Sequence, residues 1–391
     1  MVELLALLLP VAAASGWWAA RRSARREAER LRQGDMDPAY FRGLNYLVNE
    51  QPDKAIDIFV RMLEVNRETV ELHLTLGNLF RRRGETDRAI RIHQNLIARP
   101  TLSRPQRAQA LLELGQDYLR AGLLDRAEGL FHELVDMDLL VKPALCNLIV
   151  IFQHEKDWAK CLEASRKLEK LGDRQQAHDQ AHYHCELAAE ACDHGDLDEA
   201  AGRLQQARRA DDSSVRAALM QGHLALLRED HENALRLFRR VETGHPAYVG
   251  EVLEPLARCH AALGRSDEWR FHMRELYQRN PALPLLFAVA DDMRGHEGSA
   301  AAVAFVSNHL ERRPSLRGLA YLIDLRVTEP GESTTDFMRL LNDLVHKLVS
   351  DMPAYQCHRC GFSSRGLQWQ CPGCRAWGSM DPYIERKESH L

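Results

Sequence analysis

The chain repeats itself with a period of 34 residues, and this period constrains the possible folds more than any other feature. Gly43 and Gly77 lie 34 residues apart, and so do Ala55 and Ala89. Three early repeats share a glycine, an aromatic residue three positions later and an alanine twelve positions later: Gly43, Tyr46 and Ala55; Gly77, Phe80 and Ala89; Gly115, Tyr118 and Ala127. A period of this length indicates short structural units, each stacked on its neighbours.

A second aromatic position completes the pattern. Phe59 and Phe131 each follow a repeat alanine by four residues. The order L-G-x2-Y, then A-x3-F, then Pro is that of the tetratricopeptide repeat, in which each unit is a pair of helices. We expect the small residues to let the two helices of a repeat approach closely, and the aromatic residues to fill the gap to the next repeat.

The period continues toward the C-terminus in a less regular form. The position of the repeat alanine is occupied, in order, by Cys161, Ala200, Ala234, Trp269 and Ala302. The glycine spacing widens from 34 to 38 before Gly115, which predicts an insertion around residues 99–107. We expect about eight to nine helix pairs over residues 35–350, the last of them a capping pair at about 316–349. The predicted fold class is all-α, a helical-repeat solenoid.

An apolar segment at the N-terminus predicts a membrane anchor over residues 1–20. Residues 2–20 read VELLALLLPVAAASGWWAA, with Glu3 as the only charge. Such a helix would span about 28 Å, close to the hydrocarbon thickness of a bilayer, and Trp17 and Trp18 suit its interface. Residues 21–34 form a linker with six arginines, so the positive-inside rule places the rest of the chain in the cytoplasm. A cleaved signal peptide is the alternative, but it would carry its positive charge before the apolar core.

Charge and cysteine usage narrow the function classes. The formal net charge of the 391 residues is −4, so no global basic field indicates a nucleic-acid partner. Five of the nine cysteines are scattered through apolar helical stretches without disulfide-like spacing: Cys146, Cys161, Cys185, Cys192 and Cys259. We interpret them as buried reduced thiols in a reducing compartment.

Two groups of polar residues within the repeats are candidate functional sites. The densest basic cluster comprises Arg81, Arg82, Arg83, Arg88 and Arg91. It could contact an acidic partner segment, although charge runs are more often solvated helix ends. His178, His182 and Cys185 share one helical face, a spacing that can bind a metal. No further ligand and no H-E-x-x-H arrangement accompanies them, so ordinary packing is the expectation.

The remaining four cysteines predict a metal site in a small C-terminal domain, residues 353–391. Cys357, Cys360, Cys371 and Cys374 follow the spacing C-x2-C-x10-C-x2-C, which supplies a tetrahedral thiolate cage. Four thiolates leave no open coordination position, so the site would be structural or electron-transferring rather than hydrolytic. Few residues surround the cage, and the metal must supply much of the folding energy. We expect Phe362, Trp369 and Trp377 to cover the cage or dock it on the last helices.

These motifs resemble two known families. The CxxCG…CPxC pairs are similar to rubredoxin, which holds one iron, although the loop between them has only ten residues and Arg375 stands where rubredoxins have glycine. The whole layout is more specific. An anchor LLALLLPVAAASGWWAARRSA, repeats with LHLTLGNLFRRRGETDRAIRIHQNL, and a terminal YxCxxCGF…WxCPxCRAW resemble the lipopolysaccharide assembly protein B (LapB) family of Gram-negative bacteria.

The resemblance implies a non-enzymatic regulator of lipopolysaccharide synthesis in the inner membrane, facing the cytoplasm. In that family the protein works with the FtsH membrane protease to promote degradation of the LpxC deacetylase. Other lipopolysaccharide biosynthesis or transport proteins and inner-membrane lipid are the further partners it implies. The resemblance carries over no catalytic residue. The metal ligands of the family map onto Cys357, Cys360, Cys371 and Cys374, with iron favoured and zinc possible.

Three other function classes compete with the adaptor. A rubredoxin-type electron-transfer protein is the first, but the chain has no flavin, haem or nicotinamide motif. A zinc-ribbon nucleic-acid binder is the second, and the basic residues of the cysteine segment are only Arg359, Arg365 and Arg375. A hydrolase is the third, and no Gly-x-Ser-x-Gly, P-loop or H-E-x-x-H sequence is present.

Overall fold

A computed structural model describes residues 38–49, 51–65, 70–173, 176–327 and 336–383. The predicted anchor at 1–20 and the basic linker at 21–34 lie outside these residues. Within the described ranges, no helix has the length and apolar character needed to cross a bilayer.

Eighteen α-helices follow one another in this part of the chain, in nine consecutive pairs. The pairs are α1 (Pro38–Val48) and α2 (Pro52–Val65), α3 (Val70–Arg82) and α4 (Thr86–Ile97), α5 (Arg104–Arg120) and α6 (Leu124–Asp136), α7 (Val141–Glu155) and α8 (Trp158–Lys170), α9 (Gln176–Asp193) and α10 (Leu197–Ala210), α11 (Val215–Leu227) and α12 (His231–Gly244), α13 (Val249–Ala262) and α14 (Ser266–Arg279), α15 (Leu283–His296) and α16 (Ser299–Arg312), and α17 (Leu316–Val327) and α18 (Asp336–Ser350). A short 3-10 helix, Pro246–Tyr248, precedes α13.

The chain divides into two compact units between residues 151 and 152. In the first unit each helix from α1 to α5 contacts the helix that follows it, and α3 also contacts α5. In the second unit the first helices of successive pairs meet in the same way, α9 with α11, α11 with α13, α13 with α15 and α15 with α17. This neighbour-to-neighbour stacking is that of a tetratricopeptide array, and it confirms the predicted fold class.

The repeat glycines admit an aromatic ring from their own helix pair. A Cβ added to Gly43 would lie 2.4 Å from the Phe59 ring, and one added to Gly115 would lie 2.6 Å from the Phe131 ring. Both phenylalanines are fully buried. The sequence-based expectation placed these aromatic residues in the gap to the next repeat. That expectation was wrong for this position, because the missing Cβ leaves room for the ring inside the repeat.

The second pair has a histidine in this aromatic position. The buried His93 ring lies against Gly77, and its Nδ1 is 2.5 Å from Asp117 Oδ2. Arg81 donates to Asp117 Oδ1 at 2.8 Å and to Glu113 Oε2 at 2.7 Å. Arg81 therefore belongs to a buried ion-pair network and not to a solvated helix end.

Two more arginines of the predicted basic cluster are also paired. Arg83 contacts Asp53 at 2.5 Å, and Arg88 contacts Glu85 at 2.7 Å. Arg88 also lies over the Phe80 ring, 3.9 Å from its centroid. These contacts join neighbouring turns and helices, so most of the cluster supports the fold.

The predicted insertion lies between α4 and α5, where Ser103 caps the next helix. Gln106 N–H donates to Ser103 Oγ at 3.4 Å, and Ser103 N–H donates to Gln106 Oε1 at 3.1 Å. This reciprocal capping box fixes the start of α5. The extra residues therefore lengthen one connection and leave the helix pairs in phase.

Three short strands follow the last helix and form an antiparallel sheet of order β2-β1-β3. The strands are β1 (Tyr355–Cys357), β2 (Ser363–Ser364) and β3 (Met380–Pro382). Gln356 pairs with Ser363 on one side and with Asp381 on the other. The apolar cluster of this domain is very small: it consists of Cys357, Cys371 and Met380, with Tyr355 and Leu367 packed against them.

The five scattered cysteines are not all buried. Cys161, Cys185 and Cys259 are, and burial raises the pKa of the Cys161 and Cys185 thiols to about 12. Cys146 is exposed and Cys192 is half-buried, so the prediction was wrong for these two. Cys192 nevertheless packs against the apolar cluster of α9 to α11 that includes Ala188 and Leu204.

Candidate metal centre and its docking surface

Two backbone turns of the same design present the four cysteines. In the first, Gly361 N–H donates to the Cys357 carbonyl at 2.9 Å, and Cys357 N–H donates to the Phe362 carbonyl at 2.7 Å. In the second, Arg375 N–H donates to the Cys371 carbonyl at 2.8 Å, and Cys371 N–H donates to the Ala376 carbonyl at 2.9 Å. Each turn thus brings the two sulfurs of one CxxC pair to the same side.

Both turns need a residue with positive φ four positions after their first cysteine. Gly361 has φ +77°, a conformation that glycine adopts without steric cost. Arg375 has φ +58° at the equivalent place, where its Cβ costs about 1–2 kcal/mol. The sequence difference from rubredoxin at Arg375 is therefore a local backbone strain that the surrounding turn holds in place.

The four sulfurs have the spacing of a tetrahedral cage. All lie within 4.8 Å of one another, with Cys357 Sγ 3.7 Å from Cys374 Sγ and Cys360 Sγ 3.6 Å from Cys371 Sγ. A tetrahedral ion with metal–sulfur bonds of about 2.3 Å needs sulfurs about 3.8 Å apart. The four predicted ligands therefore come together with the geometry that such an ion requires. In the described part of the chain, no other cluster of candidate ligands has this form.

The cage has a buried and an exposed side. Cys357 and Cys371 are buried, whereas Cys360 and Cys374 are exposed. Burial alone would raise the pKa of the Cys357 thiol, but its hydrogen bond with the Ser379 hydroxyl and those from the backbone of Cys360 and Arg359 lower it to about 6. These hydrogen bonds therefore favour the thiolate of Cys357, which is the form that binds metals.

Trp377 fixes the cysteine domain to the repeats. Its indole is stacked on the His182 ring, with centroids 5.0 Å and planes 21° apart. It also meets Trp158 edge-on at 5.8 Å and Tyr183 at 6.0 Å. Arg216 lies over the same indole at 5.8 Å. Helices α8, α9 and α11 thus form an aromatic socket in which Trp377 is almost fully buried.

Trp369 makes a second aromatic contact one repeat further along. Its ring is stacked on Tyr248, with centroids 6.1 Å and planes 18° apart. Tyr248 Oη donates to the Met380 carbonyl of strand β3 at 3.1 Å. The contact therefore joins the 3-10 helix before α13 to both the loop and the sheet of the cysteine domain.

Polar contacts surround the two tryptophans. Tyr355 donates from strand β1 to Glu251 of α13. Gln370 Nε2 donates to Gln153 Oε1 at 3.1 Å, and Gln153 Nε2 donates to the Tyr183 hydroxyl at 2.7 Å. Arg317 of α17 donates to the Pro353 carbonyl at 2.7 Å. An apolar centre with a polar surround is the arrangement of a specific interface.

Gly378 lets the cysteine domain come close to two histidines of α9. A Cβ at this position would lie 2.8 Å from His178 Nε2 and 3.2 Å from His182 Nε2, and its φ is +57°. His178 Nδ1 in turn lies 3.1 Å from Asp211 Oδ2. The predicted role of His178 and His182 as packing residues is thus confirmed, and the surface they pack against is the cysteine domain. Cys185 lies on the same helix and is buried.

Burial keeps His182 uncharged. It lowers the pKa of this histidine to about 3, and the charges of His178 and Arg216 act in the same direction. The Nδ1 atom of His182 is buried without a hydrogen-bond partner in the described structure. A neutral imidazole stacked on an indole suits this apolar position, whereas an imidazolium would not.

The position of the docking surface corrects one expectation. Trp369 and Trp377 were expected to cover the cage or dock it on the last helices, but their partners lie on α8, α9, α11 and the 3-10 helix. Arg317 extends the contact to the last pair. The middle helices carry the aromatic side chains that pack against the two indoles, and nothing in a linear sequence pairs residues so far apart. The aromatic residues Trp158, His182 and Tyr183 were the sequence feature that could have indicated this docking surface.

Comparison with known proteins covers the whole chain. Residues 355–382 match the family described as rubredoxin metal binding domain, and residues 74–138 and 185–248 match tetratricopeptide repeat. Lipopolysaccharide assembly protein B of Escherichia coli strain K12 is 39% identical over 387 residues, which cover 98% of each chain. The protein of the same name from Haemophilus influenzae is 34% identical and is covered, like this chain, to 100%.

Proposed function

Because the chain belongs to the lipopolysaccharide assembly protein B family, we propose that it is a membrane-anchored cytoplasmic adaptor in lipopolysaccharide synthesis. Its specific task in this proposal is to promote degradation of an LpxC-type deacetylase by an FtsH-type membrane protease. The observation that carries the proposal is the match to the E. coli relative over 98% of both chains, which includes the segments of the anchor, the repeats and the cysteine domain. A repeat array is a scaffold for protein partners, and this supports the adaptor role over an enzymatic one.

The metal has a structural task in this proposal. One tetrahedral ion binds Cys357, Cys360, Cys371 and Cys374, with iron favoured by the rubredoxin resemblance and zinc as the other thiolate-preferring candidate. The four thiolates complete its coordination, so the ion supplies folding energy to a domain with a very small core. It thereby holds the two turns in the positions that place Trp369 and Trp377 on the repeats.

The docked domain supports the adaptor role mechanically. Through Trp377 and Trp369 it joins α8, α9, α11 and the 3-10 helix before α13, elements of four successive helix pairs. Neighbouring repeats in an array contact only each other, so a domain that bridges several of them restricts their relative motion. A rigid surface loses less conformational entropy on binding a client and therefore binds it more tightly. The anchor adds a high effective concentration beside a membrane protease.

Loss of the protein tests the proposal. With synthesis of new protein stopped, the half-life of the deacetylase is followed in cells with and without this chain. We expect a severalfold longer half-life and more lipopolysaccharide without it. A chain lacking residues 1–20 is expected to restore degradation only in part. An unchanged half-life, with the protease present and active, would contradict the adaptor function.

Rubredoxin-type electron transfer is a second candidate, favoured by one observation. Cys360 and Cys374 are exposed, so an electron donor could approach the metal at this edge. The purified chain, loaded with iron, would then show a reversible one-electron reduction. This reduction would be faster than in a variant in which larger side chains replace Phe362 and Gly373. Tight binding of zinc with no redox change in cell extracts would remove this candidate.

A further inference from the structure

A groove on α12 and the turn before α14 carries a concentration of arginines that the proposed function does not use. The groove has a volume of about 350 Å³. It is lined by Glu232, Leu235, Arg236, Arg239, Arg240, Thr243 and Arg265. Four arginines and one glutamate give this lining a formal charge of +3, in a chain whose formal net charge is −4. It is therefore a local positive site on an acidic protein.

Most of this charge is not neutralised within the protein. Arg265 pairs with Glu232 at 2.6 Å, but Arg236 donates only to the neutral amide of Asn233, at 2.7 Å. Among the described residues, no carboxylate lies within ion-pair distance of Arg236 or Arg239. Arg240 is 4.0 Å from Asp212, whose carboxylate already pairs with Arg208. Burial lowers the pKa of His260, and the positive charge of Arg239 lowers it further.

The arginines have the spacing of a binding stripe. Arg236, Arg239, Arg240 and Thr243 occupy positions i, i+3, i+4 and i+7 of α12, which form one face of a helix. Residues one turn apart on such a face are separated by about 5–6 Å. Alternate residues of an extended chain are separated by about 6.6 Å and point the same way. A segment with carboxylates at alternate positions therefore matches the stripe, and guanidinium groups bind carboxylates in a bidentate manner.

We propose that this groove, the arginine groove, is a docking site for an extended acidic segment of a protein partner. A peptide is favoured over a membrane surface because the site is an open recess with buried Leu235 in its lining, which the side chains of a peptide can fill. It is favoured over a small anion because the lining continues past the helical turn of Arg236, Arg239 and Arg240 to the polar Thr243 and to Arg265, which one small anion cannot span. The arginine groove is separate from the surface that holds the cysteine domain, so both can be occupied together.

The test uses the full chain and a labelled peptide of alternating glutamate and serine, with a glutamine–serine peptide as the neutral control. Fluorescence anisotropy should show binding of the acidic peptide that weakens as salt is raised, since exposed charges are screened within a Debye length. The triple variant Arg236→Gln, Arg239→Gln, Arg240→Gln should bind it at least tenfold more weakly. The matched control, Arg107→Gln, Arg120→Gln, Arg166→Gln, changes the charge equally at exposed arginines elsewhere and should bind like the wild type.

Three outcomes would overturn the proposal. The first is absence of binding, or equal loss in both triple variants, which would indicate a response to net charge alone. The second is that vesicles containing phosphatidylglycerol bind in a manner sensitive to the groove variant while the peptide does not, which would make the site a lipid contact. The third is that inorganic phosphate displaces the peptide as efficiently as free peptide does, which would make it a small-anion site. Should the triple variant fold poorly, Arg239→Glu alone must still weaken peptide binding, because none of the carboxylates in the described part of the chain pairs with Arg239.

Discussion

The indole of Trp377 is stacked on the imidazole of His182, with planes 21° apart, and this contact joins the cysteine domain to helix α9 of the second unit. Trp377 follows the last ligand, Cys374, by three residues. The side chain that docks the domain is therefore positioned by the same turn that presents Cys371 and Cys374. We expect metal binding and docking to be coupled through this short stretch of backbone.

Gly378→Ala should loosen the docked domain without touching a metal ligand. The new Cβ would lie 2.8 Å from His178 Nε2, and the residue would retain a φ near +57°. Overpacking and a left-handed backbone each cost about 1–3 kcal/mol. We expect a red shift of tryptophan emission and faster proteolytic cleavage near residue 352. Gly366→Ala is the control, because a Cβ there meets nothing within 4 Å. Equal behaviour of the two variants would show that Gly378 does not limit the approach.

The stability of the second unit should fall as the pH drops below about 6.5. Burial lowers the pKa of His182 to about 3, so the folded form resists a proton that the unfolded form accepts. The contribution is fully present above the unfolded pKa and is lost by up to about 1.4 kcal/mol per pH unit as the pH falls toward the folded value. His182→Phe keeps a ring against Trp377 and removes the titration. Urea unfolding between pH 7 and pH 5 should therefore show a shallower loss in this variant, and identical slopes would contradict the assignment to His182.

The repeat array and the clustering of the four cysteines could be predicted from sequence because both depend on local spacing. The interval between Gly43 and Gly77 reports one helix pair, and the two CxxC pairs each report one turn. The docking of Trp377 on His182 could not be predicted, since it depends on which distant surfaces match in shape. The contact between His93 and Asp117 was also missed, because the repeat pattern indicates an aromatic residue at that position and gives no information on its partner in the next helix pair.

Asp117→Asn should destabilise the first unit strongly. Asp117 is fully buried and is the common partner of Arg81 and His93. Removing one member of a buried ionic network leaves the others uncompensated, at a cost of about 3–5 kcal/mol. Asp136→Asn, at an exposed position of α6, serves as the control and should change little. Thermal unfolding followed by circular dichroism measures both variants. A loss of unfolding free energy below about 1 kcal/mol for Asp117→Asn would contradict the stabilising role of this carboxylate.

Purified chain should contain one metal ion. Iron would show a thiolate charge-transfer colour and zinc would be colourless. Cys371→Ser removes a fully buried ligand and should lower the metal content and expose Trp377 to solvent. Cys146→Ser changes an exposed thiol outside the cage and should do neither. Full metal content in a double variant of Cys357 and Cys371 would contradict the cage.

The half-life of the deacetylase in cells that carry defined variants tests the adaptor account most directly. Synthesis is stopped, and decay of the deacetylase is followed in cells with the wild-type chain, Gly378→Ala, Gly366→Ala or no copy. The account predicts rapid decay with the wild type and Gly366→Ala, a severalfold longer half-life without the chain, and an intermediate value for Gly378→Ala at equal protein abundance. A half-life that is the same in all four strains, with the membrane protease active, would contradict it.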